Sequence, residues 1–197
     1  WLFAVAIFTT LFQPRYAASV EPAALSWGLA LLTTLLLFTS VLLHELGHAL
    51  MALREGVKVV SITLFHLGGI ARVEKECPTA MGNLRIAAAG PLVSLTLALG
   101  MLLAAASLAT QQPQLTVLLT QVGLLNLMLG LFNLLPGLPL DGGLILKSLV
   151  WQASGSKKRG VEVASASGRL LATLMIVMGG VLLWQGAGMN GLSLIHI

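Results

Sequence analysis

Long apolar runs separated by short polar breaks dominate this chain. The longest stretches from about Ser26 to Leu53 and stops at Arg54-Glu55-Gly56. A membrane-crossing helix needs roughly 20 apolar residues, so this run predicts a span that tilts or projects beyond the bilayer. Further helices are predicted over about Asn83–Ala109, Thr116–Leu135 and Gly168–Trp184, with Gly90-Pro91 as an expected kink in the first of them. The run Trp1–Phe12 is too short to span and reads as the tail of a first transmembrane helix whose start is missing.

Between the second and third helices the pattern shortens. VKVVSITLF and GIARVEKE, both rich in β-branched residues, flank His66-Leu67-Gly68-Gly69, which predicts a strand pair joined by a glycine turn. After the fourth helix, Pro136, Gly137, Pro139, Gly142 and Gly143 predict unwound backbone at membrane depth. Such backbone survives in a bilayer only where protein buries it or it lines a watery cavity. A basic, Ser/Gly-rich loop carrying Lys147, Lys157, Lys158, Arg159 and Arg169 is expected next. The last residues, Leu192–Ile197, resemble a translated sequencing-adaptor end, so His196 is given no functional weight. The expected fold is an all-α polytopic membrane protein of about five to six transmembrane helices. It is a single domain over residues 1–197, cut at both ends, with a small β-hairpin after the second helix.

Composition agrees. The chain is 57% hydrophobic and 9% charged, with a mean hydropathy of +0.94, whereas soluble domains carry roughly 25% charged residues. Eleven Lys and Arg against seven Asp and Glu leave a net charge of +4. In a membrane protein, basic cytoplasmic loops explain that excess without nucleic acid as a partner. The single cysteine, Cys77, excludes an internal disulfide and a cysteine-only metal cage. Arg54, Lys58, Arg72, Lys75 and Arg85 lie in one link and the basic cluster in another, while the remaining two links hold Arg15 alone. The positive-inside rule therefore places the hairpin and the basic loop in the cytoplasm.

Chemistry concentrates in His44-Glu45-Leu46-Gly47-His48, inside the second helix. Residues four apart share a helix face, so both imidazoles can reach one metal ion. A zinc ion lowers the pKa of bound water to about 7, and a neighbouring carboxylate such as Glu45 can take its proton as the water attacks a carbonyl. A charged group at the centre of a membrane helix costs roughly 2.5–3.5 kcal/mol. Metal binding would offset that cost where packing alone would not. His44 precedes Arg54 by ten positions, about 15 Å of helix, which puts the site inside the membrane but nearer the cytoplasm.

Catalytic zinc usually takes three protein ligands. Glu55, Glu74 and Glu76 fall in charged segments that face water. Asp141, the only aspartate in the chain, stands in apolar surroundings on the same membrane side and is the stronger third ligand. An Asp-Gly turn or a helix cap is its competing role. Asn133, at the end of the fourth helix, could bond a substrate carbonyl or cap the broken helix.

HELGH in an early transmembrane helix, AAAGPLVS in the next and FNLLPGLPLDGG in the one after resemble the site-2 protease family of intramembrane zinc metalloproteases. The resemblance runs from about Leu25 to Gly143. It implies that His44, His48 and Asp141 bind one zinc ion, that Glu45 is the catalytic base, and that Asn133 assists the substrate or oxyanion. Leu144 stands where many members have arginine. The resemblance further implies cleavage of transmembrane protein substrates, such as anti-sigma factors or membrane-bound regulators, in a prokaryotic plasma membrane. The hairpin could receive such a substrate by strand addition or serve as a surface structural element; His66 in its turn has no assigned role. Two rivals differ in kind. A metal-ion transporter requires a polar path through the other helices, where Ser94, Thr96 and Thr173 offer little. An inactive scaffold of the same fold should lack a ligand or the base, and none is missing.

Overall fold

The computed structural model describes residues 2–18, 21–65, 68–73 and 77–184. The turn residues His66 and Leu67, the acidic Glu74 and Glu76, and the segment 192–197 lie outside them. Six helices run in the order α1 (Leu2–Ala17), α2 (Ala23–Arg54), α3 (Ala80–Leu108), α4 (Pro113–Asn133), α5 (Asp141–Ser154) and α6 (Lys157–Trp184). Two strands, β1 (Val59–Phe65) and β2 (Gly68–Val73), lie between α2 and α3. They pair antiparallel from Val59 opposite Val73 to Phe65 opposite Gly68, with a register irregularity between Val59 and Ser61.

Among the described residues, α2, α3, α4 and α6 are long and apolar enough to cross a membrane, four spans against the five to six expected from the sequence. The other two helices are 16 and 14 residues long, below the roughly 20 that a bilayer core requires. A second difference concerns the expected basic loop. Residues 141–154 are helical and only Gly155 and Ser156 separate α5 from α6. Pattern outweighs charge there: Gly143 and Lys147 stack one turn apart on a buried stripe with Gly142 and Ser148, while Leu144, Leu146 and Leu149 are strong helix formers. Gly155 closes α5 in the left-handed conformation (φ 67°), and Ser156 Oγ accepts the Arg159 N–H to open α6.

The chain divides into two compact units, residues 1–77 with 88–133, and residues 78–87 with 134–197. Inside the first, Ala30, Ala49, Ala52, Ala89, Ala98 and Ala105 are buried, whereas Leu35, Leu42, Leu46, Leu50 and Leu53 on α2 are 36–56% exposed. Lipid solvates leucine as well as a protein core does, so small residues take the helix contacts and large ones face outward. Polar groups are satisfied locally. Thr33, Thr34 and Ser40 donate to the carbonyls of Leu29, Ala30 and Leu36 one turn back.

Tyr16 anchors α1 against α2 through a 2.5 Å hydrogen bond with Thr33, in a cluster with Ala30, Leu118 and Val122. That docking carries α1 past Pro14 to Ala17, beyond the apolar run Trp1–Phe12 read from the sequence. The C-terminus of α2 is a Schellman motif. Gly56 (φ 76°) donates to Leu53 O and Val57 to Ala52 O.

In the second unit the Pro/Gly segment is irregular over residues 134–140 and closes onto its neighbours. Leu138 N–H donates to Ala164 O at 3.3 Å, and Ser167 Oγ donates to Pro136 O. A Cβ on Gly142 would strike the carbonyls of Leu134 and Leu135, so only glycine lets α5 start this close to the preceding chain.

Candidate metal centre

His44 and His48 sit one turn apart on α2, as their spacing requires. The rings meet edge to face with centroids 4.9 Å apart, and their Nε2 atoms face each other at 3.3 Å. Two nitrogens bound tetrahedrally to one zinc, each at about 2.0–2.1 Å, lie about 3.3 Å apart. Two ring nitrogens facing each other at that distance suit a shared cation. His44 is buried and His48 is half-buried.

The other faces of the rings are set by α3. His44 Nδ1 lies 2.9 Å from Ser94 Oγ, which is itself fully buried. Gly90, one turn earlier on the same face of α3, leaves the room the rings occupy. A Cβ there would strike His48 Nε2 and come within 2.7 Å of His44 Nε2. Gly47, between the histidines, also packs closely on α3, where a Cβ would lie 2.9 Å from the Val93 side chain and 3.1 Å from the Ala89 carbonyl oxygen. Glu45 follows His44 on α2 and is half-buried.

Asp141 is the first residue of α5, behind Leu140 in extended conformation, rather than part of the unwound segment expected from the sequence. The cap position of α5 belongs to Leu140, which makes no side-chain cap bond, and Asp141 places an acidic group in the first turn. Two imidazoles and a carboxylate are a donor set that fits Zn2+, leaving a fourth position for water or substrate. Asn133 ends α4, and its Nδ2 donates to Leu129 O at 3.0 Å, inside its own helix.

Gly90 and Ser94 were not assigned to the site from the sequence. Both lie in AAAGPLVS, one of the segments that carry the family resemblance, where Gly90 also marks an expected kink, but the resemblance gives neither a role at the metal. Their spacing of four, which stacks a space-making glycine and a hydroxyl on one helix face, was the available signal.

The comparisons with known proteins agree with this geometry. The family model for peptidase family M50 matches residues 32–112 and 104–178. A relative from Synechocystis sp. is 48% identical over 153 residues, 78% of this chain and 40% of its own length. A zinc metalloprotease of Methanocaldococcus jannaschii is 41% identical over 145 residues, 74% of this chain and 42% of its own. Among solved structures, the site-2 protease from Methanocaldococcus jannaschii superposes with a TM-score of 0.64 at 30% identity, covering 98% of this chain and 85% of that one. The fold and site therefore define an integral membrane protein with a zinc-type donor set. The chain belongs to peptidase family M50, the site-2 protease family. It spans 40–45% of the length of the curated relatives it matches.

Proposed function

We propose that this chain is a single transmembrane metalloprotease domain, an intramembrane zinc endopeptidase that hydrolyses peptide bonds in or beside the transmembrane segments of other membrane proteins. The observation that carries this reading is the 3.3 Å separation of the two imidazole Nε2 atoms, the spacing of paired zinc ligands. His44, His48 and Asp141 hold one zinc ion. When bound, zinc supplies Lewis-acid polarisation of the scissile carbonyl and acidifies water.

Glu45 takes the proton of the attacking water on its carboxylate and returns it to the leaving nitrogen. Asn133 steadies the substrate or its oxyanion. One of its amide hydrogens serves Leu129 O, and a side-chain amide has a second N–H and a carbonyl to offer. A substrate helix hides its carbonyls in internal hydrogen bonds and must unwind to be cut. The β1–β2 pair, directly after α2, suits capture of that unwound strand by edge pairing. The substrates are transmembrane proteins of the anti-sigma-factor or membrane-bound-regulator kind, in a prokaryotic plasma membrane. Arg54, which ends α2 ten residues after His44, supports a site nearer the cytoplasmic face.

Glu45→Gln tests this. In detergent or liposomes, cleavage of a single-span substrate should fall by about 10²–10⁴-fold, while one zinc per chain remains bound. Cleavage at the wild-type rate by this variant, or wild-type cleavage indifferent to zinc chelation, sinks the assignment.

A further inference from the structure

We infer that Ser94 is a positioning residue for the metal: its hydroxyl accepts the Nδ1 hydrogen of His44 and thereby turns Nε2 toward the cation. The inference rests on the zinc reading above and extends it to α3, which contributes no ligand.

Two observations converge. The first is the 2.9 Å contact between Ser94 Oγ and His44 Nδ1, formed by two buried side chains 50 positions apart in the sequence. An imidazole with Nε2 directed at a cation keeps its only hydrogen on Nδ1, so the group facing Nδ1 must accept. A serine hydroxyl accepts through either lone pair. The second is the packing opposite that contact, where a Cβ on Gly90 would reach within 2.7 Å of His44 Nε2. Ser94 fixes the ring's rotation and Gly90 leaves the space in which that orientation fits, so the orientation does not depend on the cation to create it. A histidine free to rotate would lose orientational entropy on each binding event. It could also present the wrong tautomer, with its hydrogen pointing at the metal. Outer partners of metal-bound histidines are commonly worth 10–100-fold in metal affinity.

The test is Ser94→Ala, which removes the acceptor and keeps α3 helical, alanine being the better helix former. Zinc affinity is measured on the purified full chain by competition with a chromophoric chelator, and Co2+ is substituted to read ligand geometry from its visible absorption. The expected result is 10–100-fold weaker zinc binding with an altered Co2+ spectrum. Affinity within twofold of wild type overturns the inference. So does a loss of affinity with an unchanged Co2+ spectrum, which marks general loosening of the helix pair. His48→Ala is run alongside to separate the two levels of the argument. If it abolishes zinc binding while Ser94→Ala does not weaken it, the metal centre stands and the role of Ser94 falls. A wild-type chain that binds no zinc removes both.

Discussion

At the scale of single residues, the histidine pair depends on what is missing beside it. Gly90 has no side chain, and the volume a Cβ would fill is taken by the Nε2 edges of both imidazoles. Alanine is the better helix former by about 1 kcal/mol, so Gly90→Ala should keep α3 helical while pushing the rings apart. Displacements near 1 Å at a reacting centre cost about 10²-fold in rate. Gly90→Ala is therefore expected to lower kcat/KM by about that factor, with an unchanged far-ultraviolet circular dichroism spectrum. Retained activity would mean the rings relocate freely, against the close fit on α3. HELGH was legible because i and i+4 on a helix need no tertiary information. The partners of its imidazoles were not, because Ser94 and Gly90 meet His44 only when α3 packs on α2.

At the scale of elements, α2 and α4 are joined by one buried polar pair. Asn126 is fully buried; its Nδ2 donates to Ser40 Oγ at 3.0 Å and to Val122 O at 2.9 Å, and its Oδ1 has no partner among the described residues. Removing one member of a buried pair strands the other, whereas replacing both with apolar groups can be nearly neutral. Ser40→Ala alone should thus cost about 1 kcal/mol of unfolding stability, in the range found for interhelical hydrogen bonds in membranes. The double change Ser40→Ala with Asn126→Leu should cost less than the single one. Reversible unfolding in mixed detergent micelles measures both together with Asn126→Leu alone, and strict additivity over this cycle would show that the bond does not couple the helices. Helices of this kind were visible as apolar runs. Helix α5 was not, because Asp141-Gly142-Gly143 has the composition of a turn and Lys147 that of a loop. Packing of the Gly143–Lys147 stripe overrode both signals.

At the scale of the whole molecule, the proposed ligands are separated by more than ninety residues, from His48 to Asp141. An ion that binds only the folded chain stabilises it, by about 2.7 kcal/mol at a hundredfold excess over Kd. Zinc should accordingly raise the thermal midpoint of the wild-type protein and leave that of Asp141→Asn almost unmoved. Equal shifts in both would exclude the aspartate from the metal. The amino-acid sequence alone determined the membrane character, the existence of the long helices, the histidine pair with Glu45 between its ends, and the single aspartate set among apolar residues. These follow from local rules, namely run length, helical period and the cost of charge in lipid. Tertiary structure alone decided that α3 supplies the glycine gap and the serine behind the imidazoles. It also decided that the chain after Leu140 winds into a helix beginning at Asp141. Close packing between segments distant in sequence leaves no periodic trace in either one, so those features became visible only with the helices in place.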